Sequence, residues 1–547
     1  MSVIKCLYYV LIVLFLNSLN TTNAENITIV LNNTLTWGNK ELYSDFVNVT
    51  ANSTLQVDCI NKNTNVSYII FQVHSHLYNI TLYNTTNVQG SSVYGTNVGL
   101  YSSVLPAIDT FFIWNQNEID LILYISIHGY GLNDPIPGGC NMEFPVPISP
   151  YLRTQYNKDY ILVDAPSPKD KMDVKCNSID EVVLVFYKMN LPERSFDADV
   201  YFDGIMKMMT IDNIQENGEF IPDNGLHNRR MLSAYPGVGS IYVAVAISVA
   251  NSSAYSVYAP TYTYACSPIE DGDCDVYDDA LSQIILASLL FLGLFVCYYG
   301  HRFFKTEMFL IGLTSGGIVT YVIISIMADL DRPALLGASI LSGICFGAIW
   351  LLFWWFYGIP LLAVFLSTLN VGFLFSAIIY NGLPGGLIAL QSDVNFWSLF
   401  IFIMLTTSLL LVSMTLLSNI LCCAILGAYA VVYSMDYYMG SSVRYIIINS
   451  VRRATVPKFN RAVLSPPFEW KDSLMCLLWV GLAMSGFLLQ HFQNYGRPPF
   501  PPPPRSVRPG VPRSFYGTTV LGSGRQPRVV SRHPRSTVAS ERSPLLA

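Results

Sequence analysis

Seven apolar runs of membrane-spanning length follow Ala280, and they leave this chain few folds to choose from. They cover about residues 281–299, 308–327, 334–356, 357–380, 396–417, 418–439 and 473–490. A bilayer core takes roughly 20 apolar residues per helix, and only segments that satisfy their own backbone groups are stable there. The spacing predicts a seven-helix bundle over 281–490, with tight hairpins at Tyr357-Gly358-Ile359-Pro360 and near Ser418-Asn419. Gly312/Gly316 and Ser339/Gly343/Gly347 are ladders of small residues four apart. Such ladders let helix backbones approach closely, and close packing is the expectation here rather than dimerisation.

The first half has another character. Eight N-x-[ST] sequons lie between Asn26 and Asn251, at Asn26, Asn32, Asn48, Asn52, Asn65, Asn79, Asn84 and Asn251, and none follows the first span. Glycans are added on the lumenal side of the secretory membrane, so this half is expected to be glycosylated and lumenal or extracellular. Lys5, the apolar run 7–16 and Thr22-Asn23-Ala24 read as a signal peptide spanning 1–24. Residues 25–280 carry 29 acidic and 12 basic side chains; the acidity argues against nucleic acid as a partner. Cys59, Cys140, Cys176, Cys266 and Cys274 fall in this oxidising half. The last four are disulfide candidates of open pairing, and Cys59 is the expected spare.

This half reads as β. Residues 66–77 alternate Ile69, Phe71 and Val73 against Gln72, His74 and His76, as a strand with one buried face does. Further strands are expected at 121–128, 181–187 and 241–250. Two sandwich-like domains, 25–150 and 151–280, fit the length, divided in the Pro-rich stretch 144–150. His74 and His76 supply only two metal ligands, so a surface pair beside Asn79 is expected. Asp271, Asp273 and Asp275 alternate like calcium ligands but lack the closing Gly and Glu, which favours a solvated acidic collar.

Seven spans with the β domains outside put the C-terminus in the cytoplasm, and Arg302 and Lys305 in the first inner loop agree. Residues 440–472 object, because Arg444, Arg452, Arg453, Lys458, Arg461 and Lys471 fall on the outer side. An amphipathic helix over 443–456, lying on the membrane surface, is expected there. Residues 491–547, with nine Arg and one Glu, cannot bury a core; a disordered basic tail is expected.

The strings 134–144, 260–267, Gly300-His-Arg-Phe-Phe-Lys-Thr-Glu307 and 541–546 resemble the transmembrane 7 superfamily member 3 family, and with the overall layout the likeness covers nearly the whole chain. The resemblance implies a cell-surface or endomembrane protein linked to cell survival and relief of protein-folding stress. It brings no catalytic residue and no cofactor.

Glu541, Leu545 and Leu546 form an acidic dileucine pattern for sorting adaptors, which predicts endolysosomal traffic; Phe500 to Pro504 is a polyproline segment suited to a polyproline-binding domain. The first five spans hold no central ionisable residue, which argues against ion-coupled transport. G-protein-coupled-receptor signatures are missing, as are hydrolase, metalloprotease and phosphate-loop motifs. The reading is a non-enzymatic, receptor-like or scaffolding membrane protein; a transporter of a neutral or amphipathic solute is the alternative.

Overall fold

The computed structural model describes residues 24–501, apart from 32–34, 62–64, 85–91, 104–107, 142–145, 147, 170–181 and a few positions between 272 and 386. A first sandwich pairs β1 (Ala24–Leu31), β3 (Thr54–Asn61), β8 (Ile108–Trp114), β5 (Ile80–Tyr83) and β6 (Ser92–Gly95) in one sheet. The facing sheet runs β2 (Glu41–Val49), β9 (Leu121–Tyr130), β4 (Tyr68–Ser75) and β7 (Asn97–Ser103). Period-2 alternation of Val, Ile and Phe gives each sheet an apolar face, and the two faces meet. Val57, Phe71, Phe111 and Ile125 are fully buried there, with the Phe71 and Phe111 rings stacked across the sandwich at 4.3 Å. Each such side chain contributes about 1.5–3 kcal/mol of transfer free energy.

The second domain packs the sheet β10 (Arg153–Tyr156), β11 (Tyr160–Asp164), β14 (Arg229–Ser233) against β13 (Glu219–Ile221), β12 (Val182–Glu193), β15 (Val238–Ser248) and β16 (Tyr255–Val257), with β17 (Thr261–Thr263) also on β15. The strands expected at 181–187 and 241–250 are the long central pair of that second sheet. Between β12 and β13 run two helices that the β reading did not include, α1 (Ala198–Met206) and α2 (Ile211–Asn217). Tyr201, Phe202 and Ile205 were the available signal, since their spacing follows a helical face.

Those helices change the fate of β4. Its polar face was expected to meet solvent; instead every residue of the strand is buried, with Tyr201 of α1 beside Asn97 and His76 and with Tyr68 and Ile70 packed against Tyr130 and Ile136. Tyr201 donates to Asn97 Oδ1 at 2.6 Å, and His74 Nδ1 lies 2.7 Å from the same oxygen. His76 sits 5.1 Å from the Tyr201 ring and 3.4 Å from the Tyr264 hydroxyl. The histidines are therefore an interdomain contact, not a surface pair. Burial pushes His74 down to about 4, so it is neutral at physiological pH.

Among the described residues, seven helices of spanning length and composition follow. They are α3 (Ala280–Tyr299), α4 (Phe304–Met327, preceded by a 3-10 turn from His301), α5 (Arg332–Tyr357), α6 (Pro360–Gly382), α7 (Asp393–Val412), α8 (Thr415–Met439) and, after α9 (Tyr445–Thr455), α10 (Trp470–Gln493). Pro360 opens α6 where its missing N–H costs nothing, and Gly358, at φ 59°, ends α5 in the left-handed region. The small-residue ladders pack against one another within the chain. A Cβ at Gly347 would lie 2.6 Å from the Phe309 carbonyl oxygen, and one at Gly343 would lie 2.5 Å from that of Leu313.

Candidate functional site

The basic stretch 440–472 is where the second β domain meets the bundle. α9 forms over the expected residues, but it does not lie free on a membrane surface. Ile446 and Ile447 pack on the bundle, Arg444 and Arg452 turn into the β domain where acidic partners meet them, and Arg453 turns to the start of α7. Arg444 Nη2 is 3.2 Å from Glu193 Oε1 at the end of β12, and its Nε is 3.5 Å from Asp436 in the last turn of α8. Arg452 donates to Asp159 Oδ1 (3.2 Å), the Ala234 carbonyl (2.8 Å), the Lys158 carbonyl (2.5 Å) and the Ser233 hydroxyl (3.2 Å). Arg453 pairs with Asp393 at 2.6 Å and lies over the Phe396 ring at the start of α7.

Neutral contacts close the joint. Ser233 donates to Asn449 Oδ1 at 2.7 Å, and Asn449 Nδ2 to Asn381 Oδ1 in α6 at 2.9 Å. The backbone continues β14 onto the membrane domain: Ser233 N–H donates to the Val463 carbonyl at 3.1 Å, and Val463 N–H to that of Met231 at 2.8 Å. Lys188 Nζ reaches the Ser465 carbonyl at 2.5 Å. Burial alone would penalise each cation by several kcal/mol. The fork of an arginine can satisfy two or three acceptors at once, which is why this residue type suits the joint. Burial lifts the Glu193 carboxyl to about 7 even with Arg444 beside it, and it lowers Lys188 to about 8. This arrangement accounts for the misplaced positive charge: at Arg444, Arg452 and Arg453 the charge is neutralised in the clasp and offers little to a membrane surface.

A second polar cluster sits at the opposite end of the bundle, inside the string 300–307. Asn419 Nδ2 donates to Glu307 Oε2 at 2.8 Å and lies 3.1 Å from His301 Nδ1. Gln490 accepts from the His301 N–H at 2.9 Å and donates to the Cys297 carbonyl at 2.7 Å. Glu307 Oε1 and Asn419 Oδ1 are buried without a hydrogen-bond partner among the described residues. The reading from span centres passed over Glu307, because it lies in the first turn of α4 yet is enclosed. Phe500 caps this end, its ring 5.7 Å from that of His301 and 5.2 Å from that of Phe304.

The other sequence-derived candidates are scattered. Asn26, Asn48, Asn52, Asn65, Asn79, Asn84 and Asn251 are all exposed, on several elements of both β domains, while Asn32 lies outside the described residues. Cys266 is joined to Cys274, Cys140 lies in the connection after β9, and Cys176 is outside the described residues. Cys59 is a buried thiol in β3, pushed up to about 12 by burial and the neighbouring Asp109 and Asp58, so it is unreactive. Of the acidic collar, Asp273 and Asp275 are not described, and Asp279 caps α3 by accepting from Ser282 N–H at 2.9 Å. No metal-holding group of three His, Cys, Asp or Glu occurs among the described residues. Glu541, Leu545, Leu546 and residues 502–504 of the polyproline segment also lie outside them.

Two β domains clasped to seven apolar helices define a multi-pass membrane protein with a folded β region on one side of its bundle. Family models agree in both parts. Residues 38–130 match a TM7SF3-like N-terminal immunoglobulin-like domain, 135–269 a TM7SF3-like second immunoglobulin-like domain, and 286–491 a TM7S3/TM198-like domain. The chain is 30% identical over 461 residues to Transmembrane 7 superfamily member 3 of Rattus norvegicus (81% of each chain). It is 29% identical over 515 residues to that of Mus musculus (88% of this chain, 90% of the relative). The human protein of the same name is 29% identical over 461 residues, 81% of this chain and 80% of the relative. The chain belongs to the transmembrane 7 superfamily member 3 family.

Proposed function

We propose that this chain is a receptor-like or scaffolding membrane glycoprotein, with its β domains lumenal or extracellular and its C-terminal tail cytoplasmic. The clasp is the observation that carries the reading. Arg444 and Arg452 tie β12, β14 and the 158–159 turn to α8 and α9, and Asn449 and Arg453 carry the joint on to α6 and α7, so a load on the second β domain reaches three spans through buried, directional donors. A tethered ectodomain that merely floated above its anchor would need no such joint. Exposure of the seven described sequons supports sugars on the same face, including the one closest to α3, at Asn251. The family resemblance points to cell survival and protein-folding-stress homeostasis as the process served.

This reading assigns no catalytic step. The bilayer is the first partner; sorting adaptors would read Glu541, Leu545 and Leu546 and carry the protein between cell surface and endolysosomal membrane. A polyproline-binding domain would have to take Phe500 from its seat on His301 and Phe304. The test has two parts. A C-terminal epitope should stain only after permeabilisation, while glycosidase treatment of intact cells shifts the surface protein's mass. In reconstituted vesicles, solute flux above that of empty vesicles would overturn the scaffold in favour of a transporter.

A further inference from the structure

Beside the clasp, the 457–464 connection and the β11–β14 edge leave a cleft of about 500 Å3, within the range of ligand pockets. Its walls are apolar: Leu162, Leu226, Met231 and Pro457 face it, together with Tyr160. Its rim is cationic. Arg229 is held by Asp164, but Lys458 and Arg461 are exposed and form no ion pair among the described residues. The nearby carboxylates are already engaged, Asp223 with Arg230 and Glu219 with Lys188. Lys458 is held at φ 64°, a left-handed backbone that a lysine adopts only under constraint; buried Phe459 follows it, and its carbonyl accepts from Arg461 N–H at 3.1 Å.

Asn460 and Arg461 also line a second cavity of about 60 Å3, which reaches Leu387 and Leu390 in the α6–α7 connection. This one is polar in a telling way. Arg453 and Asn224 line it, both buried, and the Arg453 Nη2 donor and the Asn224 Oδ1 acceptor have no hydrogen-bond partner among the described residues. Buried orphan groups of this kind cost free energy unless a ligand or water meets them. A small polar chamber with an unused guanidinium N–H therefore adjoins a larger apolar cleft, with Arg461 at their shared wall and Lys458 on the rim of the cleft, neither in an ion pair among the described residues. Both lie at the bundle's β-domain end, where Phe468 and Trp470 stand exposed as interfacial aromatics do.

We propose that the paired cavities bind an anionic amphiphile. Its carboxylate or phosphate group sits by Arg453 and Arg461, and its hydrocarbon chain lies against Leu162, Leu226 and Met231. An inorganic anion would leave the apolar walls wet, and a neutral lipid would leave the guanidinium donor unmet. The assignment goes beyond the receptor-like reading and does not depend on it. Two sources share the chemistry, a free fatty acid and an anionic phospholipid of the surrounding leaflet.

The test uses the full chain in phosphatidylcholine nanodiscs with three photoreactive diazirine probes: an oleic acid analogue, a phosphatidylserine and a phosphatidylcholine. Cross-links are mapped by mass spectrometry. At least one anionic probe should label residues 160–162, 226–231 or 457–461 five-fold or more above the phosphatidylcholine probe, and unlabelled oleate or phosphatidylserine should compete it away. Which probe labels identifies the source. Lys458→Glu with Arg461→Glu, both at exposed positions, should reduce labelling at least five-fold, and Leu226→Trp, which fills the cleft, should do the same. Labelling of exposed bundle positions serves as the folding control. Anionic labelling no stronger than that of phosphatidylcholine, no competition on the unmodified protein, or labelling indifferent to the charge reversal would overturn the assignment.

Discussion

Arg452→Met gives the most direct measure of the clasp. The substitution keeps most of the apolar stem and removes the guanidinium fork, whose side chain is 5% exposed. Four contacts to the β domain go with it, besides a long one of 3.4 Å to Asn449 Oδ1 within α9. The one to Asp159 counts for little, because that carboxylate is 45% exposed and returns to water. The contacts to the Ala234 carbonyl at 2.8 Å, the Lys158 carbonyl at 2.5 Å and the Ser233 hydroxyl at 3.2 Å are charge-assisted. Bonds of that kind contribute about 1.5–3 kcal/mol each, and water reaching the Lys158 side recovers part of the loss. The joint should weaken by about 3 kcal/mol, or on the order of 100-fold in its opening equilibrium. Hydrogen exchange of the full chain in nanodiscs reads this locally, at the Ser233 and Val463 amides that bond across the junction. Both should exchange roughly 100-fold faster, with strands of the first sandwich unchanged. Arg452→Lys keeps the charge but cannot serve three divergent acceptors, so it should fall between. If Arg452→Met exchanged within about three-fold of wild type at those amides, the argument that the clasp is held by this fork would fail.

Other outcomes follow from the same geometry. Glu193 has a folded-state pKa of about 7 against an ordinary 4.5, so the folded protein binds the extra proton between those values and its stability falls as pH rises through that window. Glu193→Gln should remove that part of the slope, seen as a flatter dependence of melting temperature on pH; an unaltered slope would contradict it. Gly347→Ala drives a methyl to within 2.6 Å of the Phe309 carbonyl and must part α4 from α5, at a cost of about 1–3 kcal/mol in thermal stability, whereas Gly337→Ala meets nothing and should be neutral. Glu307→Gln retains an acceptor for Asn419 and should be tolerated; Glu307→Ala strands the amide in a buried site and should lower stability by about 1–3 kcal/mol. Equal melting temperatures for the two Glu307 variants would refute the role given to that contact.

Much of the architecture could be read along the chain. The spans were recoverable because membrane length and apolarity are local properties: each of 281–299, 334–356 and 473–490 lies inside one helix of the bundle. Strands such as β9 and β15 were recoverable because their apolar runs are short, β-branched and bounded by turns. The disulfide partner of Cys266 was not, since four cysteines allow three pairings and only proximity selects one. Nor was the burial of His74, because a polar strand face looks the same whether water or an α1 tyrosine covers it.

Hydrophobic run length and strand alternation, both carried by neighbouring residues, thus determined that this chain has a β-rich half and seven spans. What only the tertiary structure decided is the fate of its charges. Arg444, Arg452 and Arg453 read as surface cations until folding brings Glu193, Asp159 and Asp393 to them from up to 293 positions away. The free energy of a buried charge depends on the distance to its partners and on the water excluded around it, and neither quantity is written in the order of residues.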